Sequence, residues 1–132
     1  MSIETIRSIY DAFSRGDVPA LLERVSPDVD WEYGQAPTDV PWLARRRGRE
    51  GVAAFLGSLL ENVELQRFAP KLFLEGEGVV VVLLDLEGVV RRTGRVIAEE
   101  DEVHVWRLGP DGRVARFRHA LDSAQHQAAW RG

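Results

Sequence analysis

Glu102-Val-His-Val-Trp-Arg-Leu-Gly-Pro-Asp-Gly-Arg-Val-Ala-Arg-Phe-Arg-His-Ala-Leu-Asp122 reads as two strands on either side of the turn Gly109-Pro110-Asp111-Gly112. The turn has hairpin chemistry, because Pro pre-sets one φ and Gly supplies a positive one. Side chains alternate across a strand, so His104, Trp106 and Leu108 share one face and Val103, Val105 and Arg107 the other. On the partner strand Phe117 and His119 share a face, with Arg116 and Arg118 opposite. Two of the three histidines are thereby expected on one surface beside Trp106 and Phe117, as the floor of a pocket.

Upstream, the periodicity is helical and then extended. Ile3, Ile6, Tyr10 and Phe13 fall at helical spacing, with Ser2 as the expected N-cap and Gly16 as the stop. Asp17 is placed to cap a second helix carrying Pro19 in its first turn and Leu21, Leu22 and Val25 on its apolar side. A short strand is expected over Val29 to Tyr33, with Val29, Trp31 and Tyr33 on one face. Gly34 to Gly48 is a long polar stretch containing Trp42 and Arg45-Arg46-Arg47, and loops of this length are often lids or packed surface loops. A third helix, about Arg49 to Glu61, carries Val52, Phe55, Leu56, Leu59 and Leu60 on a wide apolar stripe. Strands follow from Val63, with turns expected at Gly76-Glu77-Gly78, Glu87-Gly88 and Glu99-Glu100-Asp101. A short helix from Asp122 to Trp130 ends the pattern. Helices at one end and antiparallel strands at the other define an α+β architecture, read as a single domain over residues 1–132.

Composition narrows the function classes. The net charge of −4 argues against nonspecific nucleic-acid binding, which relies on neutralising many phosphates. The chain has no cysteine, which excludes disulfides, thiolate catalysis and cysteine metal sites. Met1-Ser-Ile-Glu lacks a basic region followed by an apolar run, and Val79 to Leu84 is too short to span a bilayer. A cytoplasmic protein without membrane contact is the expectation.

Six phrases carry a family resemblance: Tyr10-Asp-Ala-Phe-Ser-Arg-Gly-Asp17, Pro27-Asp-Val-Asp-Trp31, Gly48-Arg-Glu-Gly-Val-Ala-Ala-Phe55, Arg92-Thr-Gly-Arg95, Val103-His-Val-Trp-Arg107 and Gly112-Arg-Val-Ala-Arg-Phe-Arg-His-Ala-Leu-Asp122. In this order and spacing the chain resembles the SnoaL-like branch of the NTF2-like superfamily, which includes ketosteroid isomerases and polyketide cyclases. The resemblance implies an NTF2-like cone of order α-α-β-α-β-β-β-β plus a short C-terminal helix. In such a cone a curved sheet wraps three helices and leaves a pocket at the wide end. It also implies a homodimer paired through the outer sheet face, with Val103, Val105, Arg107, Arg116 and Arg118 near the interface. It does not imply one activity. Ketosteroid isomerases use an aspartate base with tyrosine and protonated-aspartate donors. The corresponding positions here fall at Tyr33 (base), His104 (acid donor) and Ile9 beside Tyr10 (tyrosine donor), so that mechanism is not supported. The Asp-Arg-Asp arrangement of limonene-type epoxide hydrolases is not supported either, since its last-strand carboxylate falls at His119.

His104 and His119 are the candidate general acid/base pair, because imidazole titrates near neutral pH; the competing reading makes them neutral, hydrogen-bonded core residues. Tyr33 is a candidate donor to a substrate carbonyl or enolate. Asp122 resembles the terminal aspartate of the cyclases, although capping the last helix accounts for it as well. Trp31, Trp42, Phe55, Trp106 and Phe117 are expected to line the cavity and to suit a flat hydrophobic ligand, unless they fill it. No metal is expected, since two histidines lack the third protein ligand of a catalytic zinc site unless a carboxylate such as Asp122 or Asp30 completes it. His126 is expected to face solvent. The function these residues suggest is binding of a hydrophobic carbonyl compound, with cofactor-free isomerisation, cyclisation or dehydration by proton transfer. The alternative is a noncatalytic dimeric ligand-binding or scaffold domain.

Overall fold

The computed structural model describes residues 2–132. Helix α1 (Ser2–Ser14) buries Ile6, Ile9 and Ala12. It ends where Gly16 takes a φ of 68°, a conformation glycine adopts without a side-chain clash. The Asp17 side chain then accepts the Ala20 N–H and starts α2 (Val18–Glu23), as its position before Pro19 suggests. The cap assigned to Ser2 is not observed, because Ser2 is already helical. Strand β1 (Val25–Trp31) follows, then a single 3-10 turn (Pro41–Leu43), the two-residue strand β2 (Arg46–Arg47) and α3 (Gly48–Asn62). Four long strands come next: β3 (Val63–Gly76), β4 (Val79–Val90), β5 (Val96–Leu108) and β6 (Val114–Ala120). Helix α4 (Ser123–Arg131) completes the order.

The strands form one sheet in the order β2-β1-β6-β5-β4-β3. Only β1 and β6 run parallel; the other pairs are antiparallel. Strand β4 shows the alternation that makes this sheet one wall of a core: Val80, Val82, Leu84 and Leu86 are buried. Against that inner face pack Ile6 and Ile9 of α1, Leu21 of α2 and Val52, Phe55 and Leu56 of α3. This is the α+β cone that the order of elements implies.

Two expected turns are strand instead. Strand β4 runs straight through Glu87-Gly88, and the reversal comes at residues 91–95, where Val90 N–H donates to Arg95 O at 2.8 Å. Gly88 marks a close crossing rather than a turn, since a Cβ there would lie 2.7 Å from Val63 Cγ1 and 3.2 Å from Glu64 O. Glu99-Glu100-Asp101 is likewise part of β5, which carries a bulge opposite the Leu84/Leu86 register shift, with Asp101 at a φ of 61°. Lys71 bridges Asp85 and Asp101 there, at 2.8 and 2.6 Å. The bulge inserts an extra residue, so Ile97 and Glu102 both face inward.

The Gly34–Gly48 stretch packs down. Val40, Trp42 and Leu43 are buried, and the arginine run is used locally. Arg45 donates twice to Asp30, and Arg46 donates to Pro41 O. Among the described residues no helix is long and apolar enough to cross a membrane.

The crossing at Gly88 generates a stability prediction. Gly88→Ala is expected to cost about 1–3 kcal/mol, as overpacking in a filled interior does. Urea unfolding should show a lower midpoint at unchanged slope; an unchanged midpoint would mean that β3 yields freely.

Candidate functional site

The hairpin of β5 and β6 sets His104 directly across from His119 and Trp106 across from Phe117. The inner face of this pair is therefore aromatic and imidazole in alternate rows. The two imidazoles meet edge to face at 4.6 Å between centroids. Trp31 stacks on Phe117 at 4.1 Å, and Phe55 approaches His119 from α3. Together with Trp42, Trp106 and Tyr10 these rings surround a cavity of about 60 Å³. That is small against the roughly 300–1,000 Å³ of pockets that hold drug-sized ligands. The aromatic side chains thus fill most of the cone.

Each histidine is paired with a glutamate that sequence reading did not single out. His104 Nε2 lies 2.8 Å from Glu102, His119 Nδ1 lies 2.8 Å from Glu32, and His126 Nε2 lies 2.9 Å from Glu99. His126 is buried rather than exposed. Donor inventory fixes two tautomers. An indole N–H only donates, so Trp106 donates to Tyr10 Oη at 3.0 Å, and Tyr10 O–H then donates to His104 Nδ1 at 2.6 Å. His104 Nε2–H is left to donate to Glu102. In the same way Trp42 donates to His126 Nδ1 at 2.9 Å, so His126 Nε2–H donates to Glu99.

His119 differs. Its backbone N–H and its Nδ1 both point at Glu32 Oε1, at 2.7 and 2.8 Å. Its Nε2 has no hydrogen-bond partner among the described residues, and His119 lines both the cavity and a polar outer cleft. Glu32 reaches inward because it takes a φ of 63° just after β1, with its own N–H donated to Phe117 O at 2.7 Å. Two buried donors among the described residues also lack a partner, Arg46 Nε and the indole N–H of Trp31, of which only Trp31 lines the cavity.

The electrostatics separate the two facing imidazoles. Burial, reinforced by the charge of His119, pushes the His104 pKa below its usual value despite Glu102. For His119 burial also disfavours the charged form, but the charge and hydrogen bond of Glu32 outweigh it and raise the pKa. Burial opposes ionisation of Glu102, yet the hydrogen bond from His104 and the neighbouring imidazoles hold its carboxyl below the usual range. Burial also drives the Tyr10 phenol far up, so it remains a neutral donor.

Of the expected cavity residues, Trp31, Trp42, Phe55, Trp106, Phe117, His104 and His119 are all at the cavity wall. Tyr33 is not. The left-handed Glu32 breaks the alternation that would align Tyr33 with Trp31, and the phenol turns to the outer face, where Arg107 Nε donates to it at 3.0 Å. Asp122 caps α4 by accepting the Gln125 N–H at 3.1 Å and lines the outer cleft instead of the cavity. Neither Asp122 nor Asp30 joins a metal-type cluster. Ligand-type atoms of Glu102, His104 and His119, and of Glu99, Glu102 and His126, do lie within 4.8 Å of one another. The second set is unsuited, because Trp42 obliges His126 Nε2 to keep its proton. The first has the donor types of a catalytic zinc site, but a cation would have to displace the His104 proton now donated to Glu102.

Comparisons with known proteins follow the same lines. A family model described as a SnoaL-like domain matches residues 6–117. An NTF2-like protein of unknown function from Burkholderia pseudomallei is similar at 29% identity and TM-score 0.83, over 97% of this chain and 95% of that one. An NTF2-like protein from Burkholderia xenovorans is similar at 25% identity and TM-score 0.85, over 97% and 94%. TerC, crystallised with polyporic acid, is similar at 26% identity and TM-score 0.83, over 99% and 98%. No curated protein matches the chain.

The opposed shifts predict two separable titrations. In an NMR pH titration the His119 ring is expected to change above 6.5 and the His104 ring below it. His119 then contributes stability that is fully present below pH 6.5 and lost as pH rises through its folded pKa. His104 does the reverse: its depressed pKa costs stability only as pH falls below 6.5. Coincident midpoints would contradict the assigned pairing.

Proposed function

The chain belongs to the SnoaL-like family, and we propose that it binds a small hydrophobic carbonyl compound in the cone and moves a proton on it, with His119 as the catalytic residue. The observation that carries this reading is the free Nε2 of His119, the one imidazole nitrogen among the described residues without a hydrogen-bond partner. Glu32 acts as the positioning residue: it fixes the ring through Nδ1 and favours the imidazolium, so Nε2–H is an acid aimed at a substrate oxygen. The unpaired Trp31 N–H supplies a second donor to a carbonyl or developing enolate. His104 has both nitrogens engaged, so it supports the site rather than touching the ligand. Once Nε2–H has passed to the substrate oxygen, the neutral Nε2 so formed takes the proton from the adjacent carbon, a balanced exchange that isomerisation, cyclisation and dehydration can each use.

The small cavity favours a single-ring ligand, or one admitted by displacement of aromatic side chains. It also favours the second reading, a noncatalytic binding or scaffold domain. A thermal-shift screen with cyclic ketones, phenols and polyporic acid, the compound crystallised with TerC, separates the two. Stabilisation of the wild type, together with turnover that His119→Gln lowers about 100-fold or more, supports the enzyme. Turnover should also fall as pH rises through the His119 pKa, because the acid form does the work. Binding without turnover leaves the noncatalytic reading.

We propose a homodimer as well. The outer sheet face carries two apolar rows in register, Leu72, Leu83 and Val103, and Leu74, Val81 and Val105. Leu72 and Leu74 are exposed large hydrophobic residues, and contiguous apolar surface of this kind marks an interaction site. Light scattering is expected to give twice the chain mass, and Val81→Glu to give the monomer. A monomeric wild type would overturn the pairing.

A further inference from the structure

On the face of the sheet opposite His119, three arginines share one aromatic ring and find no carboxylate. Arg107 and Arg116 are direct cross-strand partners, and Arg118 lies two residues further along β6. Their guanidinium carbons stand 6.0, 4.0 and 5.4 Å from the centre of the Tyr33 ring, with Arg116 nearest. Arg107 Nε also donates to the Tyr33 hydroxyl at 3.0 Å. Gly34, at a φ of 74°, lets the chain pass close over Arg118, since a Cβ there would lie 3.0 Å from Nη1. The cluster is thus built from two strands and the segment after β1, not from one run of sequence.

Its charge is uncompensated. Among the described residues no carboxylate oxygen lies within 4.0 Å of any of the three, although Arg45, Arg91, Arg113 and Arg131 all reach one. The chain as a whole is acidic, at −4, so carboxylates are not scarce. Like charges placed directly opposite in an antiparallel pair are destabilising. The Tyr33 ring offsets part of that cost and orders the guanidinium groups before any ligand arrives. Planar guanidinium forks held in this way match the oxygens of a phosphate group.

We infer that Arg107, Arg116 and Arg118, arranged on Tyr33, bind a small phosphate-class dianion, either free phosphate or a phosphate ester. Arg118 continues the row of Leu74, Val81 and Val105, so the site stands at the rim of the face given to the homodimer and is separated from the cavity by the sheet. It therefore stands or falls independently of the role given to His119.

The test is calorimetric titration with inorganic phosphate and with phenyl phosphate, at constant ionic strength against sodium chloride. Saturable binding of either is expected, weakened about tenfold or more by Arg116→Gln and by Arg118→Gln. Binding only of phenyl phosphate would identify an ester, stacked on Tyr33; equal binding would identify the ion itself. Arg118→Lys keeps the charge but loses the fork and should weaken binding too. If a β6 variant fails to fold, the exposed Arg107→Gln carries the same expectation. Heats no larger than those of chloride would overturn the inference. So would glutamine variants that change the mass in light scattering but leave the phosphate response intact, since the cluster would then be a subunit contact.

Discussion

Two N–H groups of His119, one from the backbone and one from the ring, converge on a single oxygen of Glu32. Much of the molecule depends on that contact. It extends the parallel β1–β6 pairing beyond Trp31 with a side chain in place of a strand, and Glu32 N–H returns the bond to Phe117 O. A buried carboxylate is tolerated only when it is hydrogen-bonded or paired; here Oε1 is both, while Oε2 is buried without a partner. Its left-handed backbone is a cost that the surrounding bonds over-determine. The same residue orients His119, raises its pKa and turns Tyr33 to the outer surface. Cavity and arginine cluster are thus two consequences of one reversal of side-chain direction.

The legible part of the sequence is the part governed by period. Alternation along 102–108 and 114–120 correctly placed His104, Trp106, Phe117 and His119 on one inner surface, because nothing interrupts the hairpin at those rows. Helical spacing found the buried stripes of α1 and α3, and Asp17 and Asp122 announced their caps. What failed did so where the backbone changes parity. Tyr33 was assigned through a residue with positive φ, and Glu99 through a bulge that no residue type in Glu99-Glu100-Asp101 advertises. Acidic residues there look like a turn, yet Glu99 and Glu102 turn inward because histidines wait for them. Glu102 was the accessible one: it shares the parity of His104, and an acid two residues before an inward histidine is a usable signal.

The three glutamate–histidine pairs are not equivalent, and the difference comes from what holds the far nitrogen. Indole and phenol donors occupy it in His126 and His104, which fixes both as donors to carboxylates. His119 has no such neighbour. In a core this aromatic, a polar atom left unsatisfied is expensive. The Trp31 N–H and Glu102 Oε1, both buried without a partner, and the unpaired His119 Nε2 all lie on residues lining one cavity.

Helix α4 is tied down by contacts with distant parts of the chain. Trp42 from the loop reaches His126 of α4, Arg131 grips Asp39 with two hydrogen bonds, Thr93 bonds Ala129 O, and Arg92 lies over Trp130. These bonds form a seam between a nine-residue helix on one side and a mostly irregular loop and the 91–95 turn on the other. Parting these contacts is a local opening event. Loosening the terminal helix would free Trp42 and Asp39 at the same time, so α4 holds that loop as a latch holds a door.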